Sequence, residues 1–146
     1  MIDLARGADA NAFASMLVEL LRQNLADKPS KLTSFRRLKG AVAIVVDDAD
    51  VAVTIHFAGK RAEVFDGIVG VPSLTVRGDS EQVLALSNLP LTTRWALPIP
   101  HPRDKEGQQV SRAFREAIRA KKLRMFGALL HPLFALRLTR VMSVHG

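Results

Sequence analysis

Phe13, Met16, Leu17, Leu20 and Leu21 recur at i, i+3, i+4, i+7 and i+8. That spacing places apolar side chains on one face of an α-helix. It predicts a helix over residues 9–26, with Asp9 as N-cap and Pro29-Ser30 as its stop. Residues 31–39, KLTSFRRLK, then read as a basic connector ending at Gly40. Beyond it the period changes. Ala41 to Val46 is a β-branched run, Asp47-Asp48-Ala49-Asp50 is turn chemistry, and Val51, Val53, Ile55 and Phe57 alternate with Ala52, Thr54 and His56. A period of two marks a strand with one buried and one wetter face. Residues 41–57 are therefore predicted to form a hairpin. Gly59-Lys60 makes the next turn, Ala62 to Phe65 a third strand and Ser73 to Arg77 a fourth.

The rest of the chain turns helical. Asp79 with Gln82 three residues on approaches a capping box, and Val83, Leu84 and Leu86 give that helix an apolar side as far as Asn88-Leu89-Pro90. Alternating prolines stiffen LPIPHPRDKEG at 97–107 into a rigid loop. Residues 108–121 predict a second amphipathic helix. Val110, Ala113, Phe114, Ala117 and Ile118 form one face, with Arg112, Arg115, Arg119 and Lys122 as a basic stripe opposite. KLRMFG suits a last strand. Pro132 fits the first turn of a last helix running to about Ser143. That helix is apolar nearly all round, so it is either buried or faces a greasy partner. The pattern implies an α+β fold: a single curved, mostly antiparallel five-stranded sheet with helices packed on one face.

Composition narrows the function. The 146 residues fit one domain. They contain no Cys and no Tyr, which excludes disulfides, thiolate metal sites, Cys nucleophiles and tyrosine catalysis. The nucleotide-binding, hydrolase and metalloprotease motifs GxGxxG, GxxxxGK[ST], GxSxG and HExxH are missing. The four histidines, His56, His101, His131 and His145, show no ligand spacing. The Asp47/Asp48/Asp50 cluster is explained by its hairpin turn. No catalytic residue, metal or cofactor is expected, and Gly67-Ile-Val-Gly70 has no basic residue that would make it a nucleotide clamp. The longest charge-free run near the C-terminus is the 12 residues from Met125 to Leu136, too short to span a bilayer. With no signal peptide in MIDLARGADA, a cytoplasmic protein is expected.

Charge is unevenly placed. Residues 1–102 are neutral, with 11 basic and 11 acidic side chains, whereas residues 103–146 carry 10 basic and 3 acidic ones, the whole net +7. Such asymmetry fits an anionic surface, either lipid headgroups or nucleic acid; a solvated, solubilising helix face gives the same pattern. With 7 Phe and 1 Trp, few aromatics are present to stack on bases.

GAVAIVVDDADVAVTIHF (40–57), LTVRGDSEQVLAL (74–86) and KLRMFGALLHPLFALRL (122–138) together resemble the sterol carrier protein type 2 family. Val76-Arg77-Gly78-Asp79-Ser80-Glu81 and Lys122-Leu123-Arg124-Met125-Phe126-Gly127 carry the match, which spans roughly residues 35–145. The acidic residue often found after the late glycine is Ala128 here, and the chain ends without the peroxisomal address of some members. The resemblance implies a non-catalytic carrier or accessory domain with an apolar tunnel for a sterol, fatty acid or acyl chain. Candidate lining residues are Phe65, Leu74, Trp95, Phe114, Ile118, Phe134, Leu138 and Met142. Each is equally at home in an ordinary core. Arg112, Arg115, Arg119 and Lys122 would meet an anionic membrane, and Arg137 and Arg140 a ligand headgroup. The alternative is a basic module that binds a protein partner or nucleic acid and no lipid, or docks its last helix on a second copy as a homodimer.

Overall fold

The run after Gly40 and the alternation beyond Asp50 form the predicted hairpin, strands β2 (Lys39–Val46) and β3 (Val51–Ala58). Asp50 closes the turn at φ 51, a left-handed conformation that a short polar side chain tolerates. The computed structural model describes residues 1–85 and 123–143 continuously, and between them Lys105, Gln109, Arg112, Arg115, Glu116, Arg119 and Ala120. Within these lie also β1 (Ile2–Leu4), a 3-10 turn (Ala8–Ala10), α1 (Ala12–Asp27), α2 (Ser30–Arg36), β4 (Ala62–Asp66), β5 (Leu74–Gly78), α3 (Ser80–Ala85), β6 (Leu123–Phe126) and α4 (Pro132–Met142).

The sheet has six strands rather than the expected five, in the order β1-β4-β3-β2-β5-β6. It is mixed: β2–β3, β3–β4 and β5–β6 are antiparallel, β1–β4 and β2–β5 parallel. The added strand is β1. Ile2 and Leu4 sit beside Ala62 and Val64. The Arg22 guanidinium on α1 donates two hydrogen bonds to the Ile2 carbonyl, at 3.1 and 2.8 Å. A three-residue edge strand is too short to show a period, and its place is set by partners far along the chain.

Side chains alternate across a strand, so the register gathers Val42, Ile44, Val53, Ile55, Val64, Leu74, Val76 and Leu123 on one face, all buried. The helices lie on that face. Phe57 of β3 meets Phe35 of α2 and Phe134 of α4 edge-on, each at 6.2 Å between ring centres. The other face is crossed by the segment after β4. There the Thr54 hydroxyl donates to the Gly67 carbonyl at 2.8 Å and accepts from the Val69 amide at 3.0 Å. On that face β2 presents buried Ala41 and Ala43 and half-buried Val45, so its sequence is a continuous apolar run instead of an alternation.

Two helix boundaries differ from expectation. Asn11, not Asp9, caps α1: its side-chain oxygen accepts from the Phe13 and Ala14 amides, and its amide nitrogen donates to Asp66 at 2.7 Å. Asp9 lies in the preceding 3-10 turn. The basic connector is largely α2. Pro29, with φ −56, opens this helix instead of only closing the last one, because its fixed φ suits a first helical turn. Asp79 precedes α3, but the Ser80 amide and hydroxyl both donate to Asp48, at 2.8 and 2.7 Å. These two bonds hold the Asp48 carboxyl below its ordinary range. Apart from Lys105, which is helical rather than part of a loop, the segment at 97–107 lies outside the described residues, as does most of the helix at 108–121; Gln109, Arg112, Arg115, Glu116 and Arg119 are helical.

Candidate functional site

The helices do not seal the apolar face. Between them and the sheet lies a cleft of about 60 Å³. Phe13, Met16, Leu17 and Leu20 of α1 form one wall, and Leu138, Thr139 and Met142 of α4 another. Val42, Ile44, Leu74, Val76 and Met125 form the floor, and Val83 and Leu84 of α3 the rim. Among the described lining residues Thr139 is the one polar side chain. Its hydroxyl donates to the Ala135 carbonyl of its own helix at 2.8 Å, a local bond that leaves no donor aimed into the cleft. Met16 and Leu84 at the mouth are 41% and 46% exposed, so the cleft opens to solvent beside α1 and α3. Its volume admits about four to six water-sized spheres. With this lining such a space favours hydrocarbon over water.

The α4 wall is fixed at its C-terminal end. The Asn24 amide donates to the Val141 and Met142 carbonyls at 3.1 and 2.8 Å, and the Lys31 ammonium donates to the Ser143 carbonyl. A helix end leaves such carbonyls without intrahelical partners and carries partial negative charge, so a cation and an amide there satisfy both. Lys31 is fully buried. Burial first, then the charges of Lys28 and Arg140, lower its pKa from 10.5 to about 8, with Asp27 acting the other way.

Of the expected lining residues, Leu74, Leu138 and Met142 are on the cleft wall. Phe134 is not: it is packed in the core against Phe57 and beside Gly40. Phe65 is on the opposite face, edge-on to the His56 ring at 5.1 Å. It follows Val64 on β4, and one step along a strand reverses the side chain. Trp95, Phe114 and Ile118 lie outside the described residues, as does Lys122. Arg112, Arg115 and Arg119 are helical and exposed. Arg137 donates to the Arg37 carbonyl at 3.3 Å, and Arg140 lies near enough to depress Lys31. The α1 wall was missed, although its helical period was plain in the sequence. An amphipathic stripe reports burial, and whether the buried surface meets core or cavity depends on how closely the opposite helix approaches.

Among the described residues no cluster of His, Asp and Glu is placed to hold a metal ion, and no helix is long and apolar enough to cross a membrane. No family model matches the chain, and no curated protein matches it. Solved structures do. A "UbiJ-SCP2 Ubiquinone synthesis protein" superposes with TM-score 0.60 at 13% identity, over 92% of this chain and 96% of its own. The fold is sterol carrier protein 2-like. A conserved hypothetical protein of Thermus thermophilus, described as a possible sterol carrier protein, matches with TM-score 0.46 at 12% identity, over 92% of this chain and 85% of its own. In this fold the late glycine of the strand motif has a clear task. Gly127 has φ 92, and a Cβ there would collide with the Ser73 carbonyl. Only glycine lets β6 turn over the start of β5 and lead into α4.

Proposed function

We propose that this chain is a non-catalytic lipid-binding module that takes an apolar tail into the cleft between α1, α3, α4 and the sheet. One observation carries the reading. Thirteen of the fourteen described lining side chains are apolar, and none of them is charged. Burying hydrocarbon contributes about 0.8 kcal/mol per methylene, so the closed cleft gives room and affinity for only part of a chain. A sterol, fatty acid or acyl chain would enter fully as α1 and α3 part at the mouth between Met16 and Leu84. The name of the structural neighbour adds an isoprenoid quinone precursor to the ligands worth offering. The exposed Arg112, Arg115 and Arg119 stripe fits anionic headgroups of the membrane that supplies the ligand, each cation being worth about 1 kcal/mol at such a surface.

Native mass spectrometry of the purified protein, with lipid analysis of an organic extract, tests this. An added mass of a few hundred daltons that extracts as a lipid is expected. Met16→Trp, which fills the mouth, should lose that mass and keep the fold. A clean apo mass, with no uptake from mixed lipids, would overturn the reading.

A further inference from the structure

The register brings the start of β2, the end of β3 and the starts of β4 and β5 to one end of the sheet: Lys39 pairs with Ala58, Phe57 with Ala62 and Val42 with Leu74. Arg36, Arg37, Lys39, Lys60 and Arg61 are all exposed at this end, and the N-terminal amine donates to the Lys60 carbonyl at 2.8 Å. The opposite end carries Asp47, Asp48, Asp50, Asp66 and Asp79, also exposed. At its β1–β4 edge this end also carries the acids Asp3 and Glu63, and Arg22 there lies 3.7 Å from Asp3 and 3.0 Å from Glu19. The two ends of the sheet therefore differ: cations crowd one, whereas the other holds carboxylates together with Arg77, which pairs with Asp47 at 2.7 Å, and Arg124 opposite it.

Apolar surface is exposed at the same basic end. The turn after β6 presents Leu129 at 97%, Leu130 at 82% and Leu133 at 63% exposure, and Val71 beside it is 94% exposed. These segments touch, since Gly127 packs on the Ser73 backbone. The turn is closed by a hydrogen bond from the His131 amide to the Gly127 carbonyl at 2.9 Å, so its leucines are held outward on a fixed backbone. Isolated surface leucines are ordinary, but a cluster on a projecting turn marks an interaction site.

The geometry points to this end as a docking surface for an anionic lipid bilayer, with Leu129 and Leu130 inserted among the acyl chains and Arg36, Arg37, Lys39, Lys60 and Arg61 on the headgroups. Charge complementarity chooses the partner: aliphatic side chains that project past a rim of cations match a surface that is anionic outside and apolar a few ångströms in. This surface is separate from the Arg112 stripe. It rests on the lipid-binding reading only in giving that module a membrane to draw from.

Flotation with phosphatidylcholine vesicles, with and without phosphatidylserine, tests it on the full chain. Binding only to the anionic vesicles is expected. Leu129→Ser with Leu130→Ser should weaken it by at least about tenfold, since burying one leucine is worth that much. Lys39→Glu with Lys60→Glu should weaken it further, at about fivefold or more per charge. All four substituted positions are exposed, and unchanged melting shows that the fold survives. Absence of binding by the natural chain would overturn the proposal. So would binding that survives the leucine changes but is lost on reversing Arg112, Arg115 and Arg119, or capture of a protein partner by the turn with no vesicle binding. Lipid in the cleft without vesicle binding would sink the docking surface and leave the cleft standing. Vesicle binding by a lipid-free chain would do the reverse.

Discussion

Lys31 gives the sharpest test of how the cleft wall is held. Its ammonium is fully buried, donates to the Ser143 carbonyl and has a pKa lowered to about 8. In the unfolded chain it returns to its ordinary 10.5. Between pH 8 and 10.5 the unfolded state binds the extra proton, so stability rises with pH across that window. Below pH 8 both states are protonated and the contribution is flat. One pKa unit corresponds to about 1.4 kcal/mol, so the whole window is worth about 3 kcal/mol. Replacing Lys31 with Met keeps the length and removes the titration. Urea unfolding of the natural chain and Lys31→Met at pH 7, 8.5 and 10 checks it. Taking the difference cancels the titrating groups that do not interact with Lys31. The natural chain should gain up to about 2.5 kcal/mol on the variant between pH 7 and pH 10. Parallel stability curves would refute the argument, because they would mean that Lys31 reaches water and that the end of α4 is not held by a desolvated cation.

The remaining predictions concern the frame of the site. Gly127→Ala should destabilise by about 2 kcal/mol or more, from strained φ and the collision with Ser73, read as a fall in thermal midpoint. Asn11→Ala should cost about 1–2 kcal/mol by chemical denaturation, because it removes the α1 cap and the tie to Asp66. Asp48→Ala should speed hydrogen exchange of the first α3 amides. In the natural chain the same loosening should follow acidification through the lowered Asp48 pKa, since a depressed carboxyl stabilises the fold above its ordinary pKa and loses that effect as it is protonated.

The α+β class, the β2–β3 hairpin, β4, β5 and β6 and the position of Pro132 at the start of α4 were determined by the sequence, because each follows from a period, a turn residue or a conformational limit acting within a few positions. The same locality explains what was misjudged. Asp9 and Asn11 are both good caps, and only the reach to Asp66 and the β3 backbone selects Asn11. Pro29 ends one helix and opens another, and the buried contacts of Lys31 and Phe35 make the second worthwhile. The strand Ile2–Leu4 exists because β4 offers an edge and Arg22 reaches back across 20 residues. The cleft was the least legible feature. An apolar face in a sequence says that a side chain leaves water. Whether it then meets another side chain or a space left for hydrocarbon is a matter of the distance between α1 and α4 across the sheet, and that distance exists only in the folded chain.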